Sequence, residues 1–347
     1  MRYCITHQIT YQYDRPVTLA AHWLRLRPRC DVTQKLHQFS LAITPQPKQR
    51  SDIVDLDGNN LLKVWFGDEP TTTLQIQATS EVETYRSNPF NYLLEPWAVT
   101  LPIDYPRSWA HPLQPYLGGQ FAGAGGSIDP TAIQLAQELW LQTAGNTVSF
   151  LSELNQRIYR ECRYQLRETG SALPPGITWS QKTGSCRDYA VLFMEVCRAV
   201  GLAARFVSGY QEGDLDRDDR HLHAWAEVYL PGAGWRGYDP THGLAVADQH
   251  IALVAMPTAH HSAPVSGTLK SAGASSEMTY RLTIQLADAS SNRAADLVSE
   301  AASPNSPNGK VAQSTSQPTP APRGSGSKLS RSSKSSKASK SRKRSQS

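Results

Sequence analysis

No stretch of this sequence approaches the roughly 18 consecutive apolar residues that a membrane-spanning helix needs. The opening, Met1-Arg2-Tyr3-Cys4-Ile5-Thr6-His7, lacks the apolar run of a secretory signal. Cysteine is sparse: Cys4, Cys30, Cys162, Cys186 and Cys197 are five in 347 residues, odd in number and without a CxxC pair. That count argues against a disulfide framework and a thiolate zinc site. Together these absences predict a cytoplasmic protein with no membrane partner. The calcium-loop pattern D-x-[DN]-x-[DN]-G is also missing, as are internal repeats. His260-His261 has no carboxylate or thiol at ligand spacing, so neither a metal nor any other cofactor is expected.

Acidic residues are missing altogether from residues 310–347, which hold ten Lys or Arg; removing those from the formal total of +5 leaves −5 on residues 1–309. The basic character therefore belongs to a tail. From about Ala289 Ser, Pro, Asn, Gln and Lys dominate, a composition that cannot bury enough surface to order itself. Residues 289–347 are read as a disordered extension, for which salt-sensitive nucleic-acid contact is the less favoured role.

Before the tail, two patterns alternate with the chain. Residues 1–105 carry short period-two runs, among them Tyr3–Tyr13 and Phe39–Ile43, and a hairpin signal at Asp57-Gly58-Asn59-Asn60. They suggest an antiparallel β-sandwich-like domain. Residues 106–128 read as loop. Helices are then expected from Asp129-Pro130 to about Ala144, from Ser149 to about Arg163, and from Cys186 to Val200. Strand-like runs follow at Ala204–Tyr210, His223–Leu230 and Trp235–Tyr238, with Met278–Leu286 as a last strand of the same domain, which spans 106–288. The fold class expected is α+β.

The third helix carries the chemistry. In Gly184-Ser185-Cys186-Arg187-Asp188-Tyr189-Ala190, Ser185 and Asp188 have capping-box spacing, which places Cys186 in the first helical turn. The positive field there favours a thiolate. A thiolate nucleophile needs a base, and the base needs an acceptor that fixes its tautomer. His223 opens one strand, and Asp239 ends the next, just before Pro240; the turn Pro231-Gly232-Ala233-Gly234 brings the two strands together. His221 is read as facing away, a bystander. Trp179 and Gln181, just upstream, are candidates for a side-chain donor that would join the Cys186 N–H in an oxyanion hole. Trp225 and Trp235 are read as core or groove-wall aromatics.

This ordered Cys, His and Asp pattern resembles the transglutaminase-like superfamily, and in particular bacterial transglutaminase-like proteins with an N-terminal β region. The segments Gly184–Ala190, His223–Tyr229 and Tyr238-Asp239-Pro240-Thr241 carry the resemblance, together with the opening strand Tyr3 to Val17. It implies a papain-like core of helices on an antiparallel sheet, with Cys186 as nucleophile, His223 as general acid/base and Asp239 orienting the histidine. Ala255-Met256-Pro257-Thr258 departs from the loop that relatives carry after the following strand, a loop expected to border the groove. The activity implied is acyl transfer from an amide or peptide bond through a Cys186 thioester, on a protein or peptide substrate. Hydrolysis is favoured over transfer to an amine, and a non-enzymatic peptide-binding module on the same fold is the remaining reading.

Overall fold

The computed structural model describes residues 1–118, 127–167, 170–213, 221–270 and 273–287; the tail at 289–347 and its basic residues lie outside them. Alternation builds the first region. In β1 (Arg2–Val17), Tyr3, Ile5, His7 and Ile9 are buried while the residues between them are not, the period-two pattern of a strand with one inward face. β1 lies between β6 (Thr71–Thr84) and β15 (Ser276–Leu286), with β3 (Gln34–Thr44) beyond β6. A second antiparallel sheet runs β14 (Val265–Leu269), β2 (Leu19–Leu24), β5 (Asn60–Trp65), β4 (Gln49–Val54). The hairpin expected at Asp57–Asn60 joins β4 to β5, with Gly58 at φ +75°, where a side chain would be strained. Ile9, Tyr13, Val17, Leu19, Val64 and Ile76 fill the space between the two sheets.

Two of these strands come from the far end of the chain. The sequence places residues 276–286 in the later domain, but β15 pairs antiparallel with β1 from Tyr3↔Leu286 to Tyr13↔Ser276, and β14 pairs with β2. Alternation in β15 announces a strand with one buried face; it does not name the partner. Without β15, β1 would present a long unpaired edge. The described residues from 1 to 287 fall in one compact unit.

The later region centres on a five-stranded antiparallel sheet in the order β12 (Leu244–Ala245), β11 (Gly234–Asp239), β10 (His223–Leu230), β9 (Ala204–Gln211), β13 (His250–Met256). Helix α5 (Cys186–Ala199) packs on β10 and β9, and α2 (Pro130–Gln142), α3 (Thr147–Glu161) and α4 (Pro175–Gln181) gather around it. This is the α+β arrangement expected, a β sandwich followed by helices on an antiparallel sheet. Asp129 caps α2 through Thr131 N–H at 2.8 Å. Asn146, not Ser149, caps α3: its side chain accepts from Ser149 N–H at 3.0 Å, so the helix begins at Thr147. Part of the stretch read as loop forms a short helix, α1 (Arg107–Leu113).

An apolar seam joins the two regions. Tyr3, Ile5, Val82, Leu282 and Ile284 pack against Tyr210 of β9 and Ile251 and Leu253 of β13. Two buried amides complete it along β13. Gln34 accepts from Ala252 N–H at 2.8 Å and donates to Ala252 O at 2.9 Å; Asn59 accepts from Ala255 N–H at 2.8 Å and donates to Ala255 O at 2.9 Å. Each amide does what a neighbouring strand would do for an edge. Placement of β15 in this seam makes Ile284→Ala costly, about 2–5 kcal/mol, while Thr283→Ala on the exposed face changes stability by less than about 0.5 kcal/mol. Urea unfolding of the two variants measures the difference.

Candidate active site

Asp188 anchors the start of α5. Its Oδ2 accepts from the backbone N–H and the hydroxyl of Ser185, both at 2.7 Å, so the predicted capping box forms. The same carboxylate accepts from Leu173 N–H at 2.7 Å and, through both of its oxygens, from Arg167 Nη1 at 2.8 Å. Burial opposes its charge, but these donors outweigh it and hold the carboxyl below the ordinary range. Cys186 thereby starts the helix, half-buried, with Arg167 and Leu173 tied beside it. The other thiols differ. Burial pushes Cys162 up to about 11 and Cys197 well above its ordinary value, while Cys4 and Cys30 lie exposed; all five are free.

Neighbouring strands bring the other two groups together. Ala226 pairs with Tyr238 across β10 and β11. One step along that register Asp239 faces Trp225, which puts His223 on the same face as a diagonal neighbour. His223 Nε2 donates to Asp239 Oδ2 at 2.8 Å, with Asp239 fully buried and His223 8% exposed. The other ring nitrogen, Nδ1, is not engaged by Asp239, and the Cys186 thiol lines the same cavity and interacts with this imidazole. Burial disfavours the imidazolium, but the charge and hydrogen bond of Asp239, with Cys186 next, raise the His223 pKa above its ordinary value. Trp225 lies beside both His223 and His250, and Gly209 on β9 makes room for it: a Cβ there would meet the Trp225 ring and the Ile251 carbonyl.

Asp239 has more partners than the sequence suggests. Its Oδ2 also accepts from His242 Nδ1 at 2.7 Å and His250 Nε2 at 3.1 Å, and its Oδ1 from Thr241 N–H at 3.0 Å. Neither histidine stood out in the sequence; a His three residues past Asp239 and one opening an apolar strand were the available signals. His223, Asp239 and His250 place one ligand atom each within 4.8 Å of one another. The 2.7–3.1 Å separations from Oδ2 are hydrogen-bond lengths. They are shorter than the edge of about 3.3 Å that a tetrahedron of 2.0–2.1 Å zinc bonds has. The residues form a hydrogen-bonded hub and do not fit such an ion. His260 and His261 meet edge to face in a separate turn.

Cys186 and His223 open into a cavity of about 460 Å³. The core contributes Tyr164, Leu166 and Phe206 to its wall, and the β region contributes Ile9, Tyr11, Met278 and Tyr280. Trp179 and Gln181 do not line it. Trp179 packs against the core under Lys182 Nζ, and Gln181 is exposed at the end of α4. Tyr164 does line it. The parallel pair β7 (Arg163–Tyr164) and β8 (Thr183–Gly184) sets Tyr164 opposite Gly184, two residues from Cys186. His221, expected to face away, lies just before β10 and lines the same cavity as His223, as residues two apart in extended chain share a face; its Nδ1 is hydrogen-bonded to the Tyr280 hydroxyl. Ala255 and Met256 are buried in β13, so the border expected from Ala255–Thr258 is made by Ser262–Val265 instead. Trp235 stands apart, under the Arg205 guanidinium.

Comparison with known proteins agrees with this arrangement. Residues 3–83 match the bacterial transglutaminase-like N-terminal region and residues 133–240 the transglutaminase-like superfamily core. The chain is 30% identical over 266 residues to an uncharacterized protein of Mycobacterium tuberculosis, covering 73% of this chain and 82% of that one. The chain belongs to the transglutaminase-like superfamily. A Pseudomonas aeruginosa protein-glutamine gamma-glutamyltransferase is 34% identical over 127 residues, 34% of this chain and 19% of that protein. The crystal structure of a candidate cysteine protease from Cytophaga hutchinsonii has the same fold, with a TM-score of 0.61, 21% identity and coverage of 83% of this chain and 92% of that one. Among the described residues no helix is long and apolar enough to cross a membrane.

The Asp188 anchor has a pH signature. A carboxyl held low in the folded state contributes stability above the unfolded value near 4, which is lost as pH falls through the folded value. Asp188→Asn therefore destabilises at pH 7 by about 2–4 kcal/mol, less than a wholly buried pair because Arg167 is partly exposed. Urea titrations at pH 7 and pH 3 check it, with the gap between variant and wild type narrowing at the lower pH.

Proposed function

We propose that this protein is a cysteine enzyme that cleaves an amide or peptide bond through a thioester on Cys186. The observation that carries the reading is one cavity lined by both Cys186 and His223, with His223 hydrogen-bonded to buried Asp239 behind it. His223 Nδ1 takes the thiol proton, and the sulfur attacks the carbonyl carbon. The C=O bond opens to an oxyanion. As that intermediate collapses the C–N bond breaks, and the imidazolium gives its proton to the departing amine. Water, deprotonated by His223, then attacks the thioester; the C–S bond breaks and the acid leaves as the thiol regains its proton.

The oxyanion meets two donors. One is the backbone N–H of Cys186, which at the first helical position has no acceptor within its own helix. The other is the Tyr164 hydroxyl, which, unlike Trp179 or Gln181, borders the cavity at Cys186. The apolar wall of Ile9, Met278, Leu166 and Phe206 suits a peptide with an aliphatic or aromatic side chain near the scissile bond. Five free thiols fit a reducing compartment, the cytoplasm.

Transfer to an amine in place of water is the second reading, favoured by the 34% identity with the Pseudomonas aeruginosa gamma-glutamyltransferase over 127 residues. Both share every step up to the thioester, so product analysis separates them. With peptide amides and a primary amine present together, hydrolysis yields mainly free acid, whereas transamidation yields the amine adduct. Cys186→Ala lowers either turnover by more than about 10⁴-fold, and Tyr164→Phe lowers kcat by about 10²-fold. Turnover retained by Cys186→Ala overturns the proposal.

A further inference from the structure

The hydrogen bond between Asp239 and His250 gives a role to a residue outside the three-residue line, and the argument rests on the reading of Cys186 and His223 proposed above. An ionised carboxylate has no proton to give, so every ring nitrogen facing Asp239 Oδ2 must carry the hydrogen. That fixes His250 as the Nε2–H tautomer. Its Nδ1 is buried and has no hydrogen-bond partner. Protonating Nδ1 would place a cation where no described group accepts its hydrogen, and burial lowers the His250 pKa. His250 is therefore a neutral donor held by the sheet: it opens β13, pairs with Gln211 on β9 and lies edge-on to Trp225.

We propose that His250 is a positioning residue for the Cys186–His223 pair: a buried neutral imidazole that donates a fixed N–H to Asp239, keeps that carboxylate turned toward His223 and takes a share of its charge. The sharing matters for the chemistry. An imidazolium facing a carboxylate with no other donors grips its proton and becomes a poor acid for the departing amine. His242 shares the same oxygen from the exposed side. Among the described residues, the titratable groups facing the His223–Asp239 pair are Cys186 from α5, Tyr164 from β7, His242 from the turn after β11 and His250 from β13. Of these, His250 is the buried one whose ring donates without gaining charge.

The test uses chloroacetate, whose anionic carboxylate is drawn to an imidazolium, so alkylation of a thiolate beside a protonated His223 rises and then falls with pH. Labelling is read at Cys186 by peptide mass spectrometry, which separates it from Cys4 and Cys30. Wild type gives a bell; His250→Met, close in volume and without a donor, lowers the maximum about tenfold and moves the alkaline limb up by about half a pH unit as Asp239 loses a donor. His250→Gln, whose amide nitrogen reaches the position of Nε2, restores the limb and brings the maximum within about threefold of wild type. His250→Asn, too short to reach Oδ2, behaves like the Met variant and serves in its place if His250→Met does not fold. An unmoved limb in the Met and Asn variants, or a Gln variant no better than they are, overturns the role of His250 while leaving the Cys186–His223 reading intact. A wild type with no bell at Cys186 removes both.

Discussion

Everything at this site depends on one hydrogen bond from His223 Nε2 to a carboxylate that water cannot reach. The bond decides which face of the imidazole is left for Cys186. With Nε2 committed to Asp239, Nδ1 is the nitrogen left for the thiol in the proposed reaction. A charge buried that deeply is tolerable only when it is paired and its lone pairs are filled. The fold supplies the donors from three places: His223 on β10, His242 and Thr241 in the turn after β11, and His250 on β13. The antiparallel register of β10 and β11 does the rest by making His223 and Asp239 diagonal neighbours on one face.

The β region has a direct part in the site. It reaches the cavity through β1 and β15, and it holds β13, the strand that carries His250, through Gln34, Asn59 and an apolar seam. The two regions that match separate family models are thus coupled at the positions the chemistry needs. Helix α5 is fixed independently, through the Asp188 carboxylate that ties its first turn to Ser185, Leu173 and Arg167.

Much of this was legible in the sequence. The capping box placed Cys186 at a helix start, and alternation with a turn between placed His223 and Asp239 on adjacent strands. The α+β architecture and the β sandwich followed from local periodicity. What stayed hidden depends on contacts between distant segments. Period two marks β15 as a strand but carries no information about β1. Tyr164 lies far from Cys186 along the chain and arrives through a two-residue parallel bridge, whereas Trp179 and Gln181, closer in sequence, are turned away by α4. His250 reads as an ordinary residue in an apolar run until the sheet sets it beside Asp239. His221, two residues before His223, shares its face and so lines the same cavity.

The site turns on the protonation state of a single ring, and nitrogen-15 NMR of the histidines across pH reads it directly. The expected result is a His223 imidazole whose Nε2 stays protonated throughout and whose second proton, on Nδ1, is retained above pH 6.5, the ordinary value. A neutral ring at pH 6 with its proton on Nδ1 would contradict it, because Asp239 would then have no donor from His223 and Cys186 no base.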